Sequence, residues 1–140
     1  MAKKFTTVMV FGVFDLIHEG HRHFLREAKK FGRQLIAVAA SDASVIKLKG
    51  FIPVHPLSDR VNNLEAEMLA DKILKGDDDL GSWRILKNHT PDVIALGYDQ
   101  KNLAESLKGF IAKNKLQIKL VSIGPHVDKS LHSSTLRKKI

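Results

Sequence analysis

Two histidines, His18 and His21, stand three residues apart with Gly20 between them, in the run Gly12-Val13-Phe14-Asp15-Leu16-Ile17-His18-Glu19-Gly20-His21. Apolar residues fill positions 6–13 and an amphipathic pattern begins at Glu19, so the pair falls where a strand hands over to a helix. A helix start presents unpaired backbone N–H groups and a partial positive charge, which together attract an anion. Gly20 has no Cβ to hold a phosphate off the backbone, and two imidazoles would aim further donors at the same anion. The plain alternative is that the histidines cap the helix and otherwise face water. A zinc hydrolase needs H-E-x-x-H on an unbroken helix; Glu19 matches, but the second histidine comes one residue early and a glycine intervenes. Neither G-x-x-x-x-G-K-[ST] nor G-x-G-x-x-G occurs, which removes a P-loop and weakens a dinucleotide-binding reading.

The rest of the chain must hold this loop in place. Residues 6–13 form a continuous apolar run, the mark of a strand buried on both faces. Residues 19–31 follow as a helix with Phe24, Leu25, Ala28 and Phe31 on one stripe, stopped by Gly32. Further strands are expected at 35–40, 71–75, 93–96 and 116–123. Helices are expected at 59–70 (Ser58 as N-cap; Val61, Leu64, Met68 and Leu69 inward), 80–88, 103–114 and 135–140 (capped by Ser133 or Ser134). Residues 47–56 contain Pro53 and Pro56 and read as a loop. Strand and helix alternate at spacings suited to right-handed βαβ crossovers, giving an α/β, Rossmann-like domain over 1–140: a five-stranded parallel sheet with helices on both faces.

Composition bounds the class. At 140 residues, 44% hydrophobic and 27% charged, the chain can bury a core, and its length suits one domain. With no cysteine there is no disulfide, thiolate metal site or cysteine nucleophile. The apolar stretch near the start is broken by Asp15 and His18, too short and too polar for a signal peptide or membrane span, so a cytoplasmic protein is expected. The net charge of +8 is uneven: +5 over residues 1–50, −4 over 51–100 and +7 over 101–140. A basic balance points to anionic partners. A nucleic-acid-binding module would interleave its basic residues with exposed aromatics, and the nine aromatics fall mostly at core positions.

In open parallel sheets, ligands bind beyond the carboxyl ends of the strands, near the point where strand order reverses. Asp99 ends the fourth strand at that edge and suits nucleotide hydroxyls or base. Lys47 and Lys49 follow the second strand and suit a triphosphate, or else are solvated. Arg60 offers a two-pronged donor to a phosphate, or else a surface ion pair with Asp59 or Glu65. Ser133, Ser134 and Thr135 open the last helix, and His126 follows the fifth strand. Asp15 is expected to buttress the loop, Phe14 to be core as readily as ligand contact, and Trp83 to pack rather than stack on a base. His23, His55 and His89 read as surface or local structural residues. The acidic run 77–79 reads as a solvated turn, because three consecutive side chains rarely converge on one Mg²⁺.

The run from Gly12 to His21 resembles the G-x-F-D-x-x-H-x-G-H signature of the cytidylyltransferase-like nucleotidyltransferases, the HxGH superfamily, with all six specified residues present. The similarity extends over nearly the whole chain. It implies a Rossmann-like domain that joins a nucleoside monophosphate from a triphosphate to a phosphorylated acceptor, releasing pyrophosphate with Mg²⁺. It implies His18 and His21 as the catalytic phosphate donors. Nucleotide contacts would come from Val13, Phe14, Glu19, Gly20, Lys49, Asp99, Ser133, Ser134 and Thr135; Arg60, Lys47 and His126 would serve acceptor or phosphate. Homodimers are common in the family, and neither nucleic acid nor membrane is expected as a partner. Archaeal-type FAD synthases, which adenylylate FMN with ATP, show similar text at Ala40-Ser41-Asp42, Lys47-Leu48-Lys49-Gly50, Leu96-Gly97-Tyr98-Asp99-Gln100 and His132-Ser133-Ser134. Glycerol-3-phosphate cytidylyltransferases, which use CTP, share the first motif. They carry an Arg-Thr pair near the C-terminus and two acidic residues with a Trp where this chain has Tyr98, Asp99 and Gln100, so the resemblance favours the former. A nucleotide-binding domain without turnover is the nonenzymatic rival, and it would be expected to lack His18 or His21.

Overall fold

Val8, Met9, Val10 and Phe11 are all buried, and their side chains alternate between two separate cores, Val8 and Val10 in one and Met9 and Phe11 in the other. That follows from the period of two along a strand with no solvent-facing side. The computed structural model describes residues 5–78 and 82–125, with side chains from Thr7 onward. Its elements are β1 (Phe5–Gly12), α1 (Glu19–Lys29), β2 (Gly32–Ala39), α2 (Asp42–Lys49), α3 (Leu57–Ala66), β3 (Lys72–Lys75), α4 (Arg84–Asn88), β4 (Val93–Gly97), α5 (Lys101–Lys113) and β5 (Lys119–Ile123). The five strands pair in parallel in the order β3-β2-β1-β4-β5. Leu25 and Ala28 of α1 and Leu64 of α3 cover one face; Ile85 and Leu86 of α4 and Leu107 of α5 cover the other. Among the described residues no helix is long and apolar enough to cross a membrane.

Four local expectations are corrected. The stretch after β2 holds a helix, α2, where Lys47 onward had read as loop. Its apolar residues form no single stripe, which hid it; its end signals are regular, with Ser41 Oγ accepting from the Ser44 N–H at 3.1 Å and Gly50 closing it at φ 76°. Pro56, not Ser58, is the N-cap of α3, and no side chain of its own caps that helix; the Leu57 N–H reaches the Asp42 carboxylate at 3.4 Å instead. The helix stops at Ala66, and Met68, at φ 57°, turns outward to 87% exposure rather than inward. Asp77 is half-buried rather than solvated: its carboxylate accepts the Ile85 N–H at 3.0 Å, capping a short α4 that starts at Arg84 rather than Leu80. The expected last helix over 135–140 lies outside the described residues.

The order of strands reverses between β1 and β4, and there the sheet opens. β1 pairs with β2 all the way from Phe5↔Gly32 to Gly12↔Ala39, but with β4 only at Val8↔Val93 and Met9↔Ile94. Beyond that, Gln100 spans the parting strands: its amide nitrogen donates to the Phe11 carbonyl and its oxygen accepts the Gly97 N–H, both at 2.8 Å. Gln100→Ala should orphan both backbone groups at a part-buried seam and cost roughly 1–3 kcal/mol, read as a lowered urea midpoint with unchanged slope.

Candidate nucleotide site at the strand reversal

Beyond Gly12 the chain turns sharply, with Phe14 and Leu16 both at φ 54°. Left-handed backbone at two non-glycine residues costs roughly 1–3 kcal/mol each and persists only where surroundings enforce it. Three sets of contacts do so. The Phe14 ring, 3% exposed, folds beneath Gly12, where a Cβ would sit 2.9 Å from Phe14 Cζ. The Asp15 carboxylate accepts the N–H groups of Val54 at 2.6 Å and His55 at 3.1 Å and meets His55 Nδ1 at 3.2 Å. Burial pushes that carboxyl upward, and these backbone and ring partners together bring it below its ordinary value. Arg60, fully buried, donates to the Val13 carbonyl at 2.8 Å, to the His55 carbonyl at 3.0 Å and to the Asp42 carboxylate at 2.6 Å. Arg60 is thus a buried strut for the loop, correcting both expectations for it, a phosphate contact or a surface pair with Asp59 or Glu65.

The strained loop delivers His18 and His21 to the start of α1, where they cap the helix reciprocally. His18 Nδ1 accepts the Gly20 N–H at 3.0 Å and His21 Nδ1 accepts the His18 N–H at 3.2 Å, an all-imidazole version of the capping box. The rings lie 4.1 Å apart and 34° from parallel, with His21 tilted against Phe14 at 5.9 Å. Gly20 is required for a reason other than phosphate approach: a Cβ there would meet His18 Cε1 at 2.7 Å. Because each Nδ1 is an acceptor, each neutral ring carries its proton on Nε2. Among the described residues neither Nε2 has a hydrogen-bond partner. Burial lowers the pKa of His21 from its ordinary 6.5, His18 and Arg22 push the same way, and Asp99 opposes them. The result is a neutral His21 whose Nε2–H is free to donate at a helix N-terminus. The cap therefore occupies one edge of each ring and leaves the opposite edge open at the helix start, where an anion would be met.

The other expected site residues divide into three groups. Val13, Phe14, Glu19, Gly20 and Asp99 gather around the histidines. The Val13 carbonyl is occupied by Arg60; Glu19 is exposed and paired with Arg22 at 2.9 Å and Arg26 at 3.4 Å. Asp99 is exposed and close enough to act on His21. Lys47 and Lys49 are exposed on the last turn of α2 and make no ion pair among the described residues. His126, Ser133, Ser134 and Thr135 lie outside the described residues. Trp83 packs edge-on to Phe11 at 5.3 Å and donates from Nε1 to Ser106. His23 Nε2 stands 3.3 Å from the Gly124 carbonyl, beside a hollow of about 310 Å³ bordered by residues 122–125. Reading by residue type missed Asp42 and Gln100, whose partners lie 3 to 89 residues away; both fall in stretches similar to archaeal-type FAD synthases, which was the available hint.

Comparison with known proteins gives the family and the fold. Residues 9–140 match the family model described as cytidylyltransferase-like. The chain is 36% identical to an FAD synthase of Thermococcus sibiricus and 39% identical to one of Pyrococcus horikoshii, each over 128 residues, 91% of this chain and 86% of the relative. Among solved structures it is similar to one titled a lipopolysaccharide core biosynthesis protein, from Thermoplasma volcanium, with a TM-score of 0.79 and 33% identity over 88% of this chain and 99% of that one.

Since the two edges of each ring serve different purposes, they can be separated by substitution. Asn at position 18 is a good N-cap and Gln at position 21 completes a capping box. His18→Asn and His21→Gln should each melt within about 4 °C of the parent, yet each should lose roughly 10²–10³ in kcat with the Nε2–H donor gone. His21 also predicts an acid-side loss of stability. Its folded pKa lies below the unfolded 6.5, so its contribution is full above pH 6.5 and is lost as pH falls through the folded value. Urea unfolding at about pH 7.5 and about pH 5.5 should show that decline in the parent and a smaller one in His21→Gln.

Proposed function

Because the chain belongs to the cytidylyltransferase-like family, and so is a nucleotidyltransferase, we propose that it transfers AMP from ATP to the phosphate of FMN, forming FAD and pyrophosphate. The observation that carries the chemistry is the pair of Nε2–H donors left free by the reciprocal cap. The FAD synthases among its relatives supply the acceptor and the base.

An FMN phosphate oxygen, ionised at neutral pH, attacks the α-phosphorus of ATP. The new P–O bond forms as the bond to the β-phosphate bridging oxygen breaks, and pyrophosphate leaves with that electron pair. No proton must be removed from the nucleophile, so no general base is needed. The remaining demand is to bring two anions together in line and to stabilise charge on the transferring group. His18 and His21 donate to phosphate oxygens, and the N-terminal dipole of α1 adds a fixed positive potential. Fixed donors are effective here because their protein partners already hold them in place. Asp99, beside His21, accepts from a nucleotide hydroxyl. Ser133, Ser134, Thr135 and His126 would complete the nucleotide side, and Lys47 and Lys49 supply counter-charge to phosphates.

Among the described residues no three histidine, aspartate or glutamate side chains converge to hold a metal ion. Mg²⁺ takes most of its oxygens from substrate phosphates and water, so it needs no such cluster. Bound that way, Mg²⁺ would offset charge on the leaving pyrophosphate.

Pyrophosphate release, measured with ATP or CTP crossed with FMN, glycerol 3-phosphate and a sugar phosphate, tests the assignment. ATP with FMN should turn over, stop on chelation with EDTA and recover with Mg²⁺. Turnover confined to CTP with glycerol 3-phosphate would overturn it.

A further inference from the structure

Ile46, Leu48, Phe51, Ile52 and Val54, five large apolar side chains within nine residues, are all exposed, Ile52 at 77% and Val54 at 67%. Leu16, exposed at its left-handed position, joins them, since the Asp15 carboxylate beside it accepts the Val54 N–H at 2.6 Å. The segment 51–55 is held, not loose. Arg60 binds the carbonyls of His55 and Val13 together, so the segment 51–55 is laced to the loop that leads into His18. A fixed apolar face bordering a phosphate site is a place for an apolar ligand group.

Resting on the FMN reading above, we propose that this face, centred on Phe51, Ile52 and Val54, seats the isoalloxazine ring of the acceptor. The occupant must be flat and apolar at one end and anionic at the other. Lys47 and Lys49 are interleaved with Ile46 and Leu48, and neither is ion-paired among the described residues. A flavin joined by a short polar chain to a phosphate matches an apolar segment tied to the loop that leads into the His18 and His21 donors. The nucleoside of ATP has its own side of the strand reversal, with Asp99 beside His21 and the hollow at residues 122–125.

Initial rates of FAD formation test this with the parent chain, Phe51→Ser, Ile52→Ser and, as a control at an exposed apolar residue outside the face, Met68→Ser. Riboflavin, which carries the ring without the phosphate, serves as competitive inhibitor against FMN. Phe51→Ser and Ile52→Ser should each raise the KM for FMN and the Ki for riboflavin about tenfold, while kcat, the KM for ATP, the melting temperature and all Met68→Ser values stay near the parent's. An unchanged KM for FMN in folded variants overturns the proposal and leaves the parent reading standing, as does a rise confined to the KM for ATP. A parent dimer that dissociates in the variants with FMN affinity unchanged assigns the face to a second copy and overturns it too. Failure of the parent chain to form FAD overturns both readings at once.

Discussion

The first turn of α1 has backbone N–H groups that no helical carbonyl can satisfy, and two imidazoles satisfy part of that need here. Much else in the structure follows from that substitution of His for the usual Ser and Glu. A serine cap would end at its hydroxyl, whereas an imidazole has a second nitrogen on its far edge. Using Nδ1 for the cap therefore fixes the tautomer and the direction of Nε2–H together. Gly20 is needed because the His18 ring lies across the place its Cβ would take. Phe14 supports the His21 ring and adds to the burial that keeps His21 neutral.

Placing those rings requires a loop the backbone resists. Two left-handed non-glycine residues are offset by contacts from sequence-distant segments: Asp15 to the backbone at 54 and 55, and Arg60 to the carbonyls of Val13 and His55. Arg60 is a buried cation, normally a liability, but its charge is met by Asp42 and its remaining contacts are carbonyls that would otherwise lack partners. The same lacing holds the apolar segment before α3 against the loop. Strain, electrostatics and the proposed acceptor surface thus share one set of hydrogen bonds.

The net charge of +8 also takes on a narrower meaning. Of the excess of five over residues 1–50, two positive charges are met from outside that stretch, Arg22 by Glu67 and Lys29 by Asp71; the pairs of Arg22 and Arg26 with Glu19 and of Lys30 with Glu27 are already counted in it. Lys47 and Lys49 stand out by contrast, exposed beside an apolar face.

Strand and helix periodicity was legible because β1, β2 and β4 are buried on both faces and α1 and α5 have clear apolar stripes. The ten-residue run from Gly12 to His21 announced the phosphate chemistry, since spacing within one loop is local information. Helix α2 was hidden because it lacks a stripe, and the α3 cap because Asp42 supplies it from another element. What the sequence by itself determined is the alternation of elements and the types of residue at the first loop. Only the tertiary structure decided that His18 and His21 bond through Nδ1, that Arg60 is a strut and that Gln100 bridges the parting strands. Those outcomes depend on groups 3 to 89 residues apart meeting at hydrogen-bond distance, and on burial that no single segment carries in its own composition.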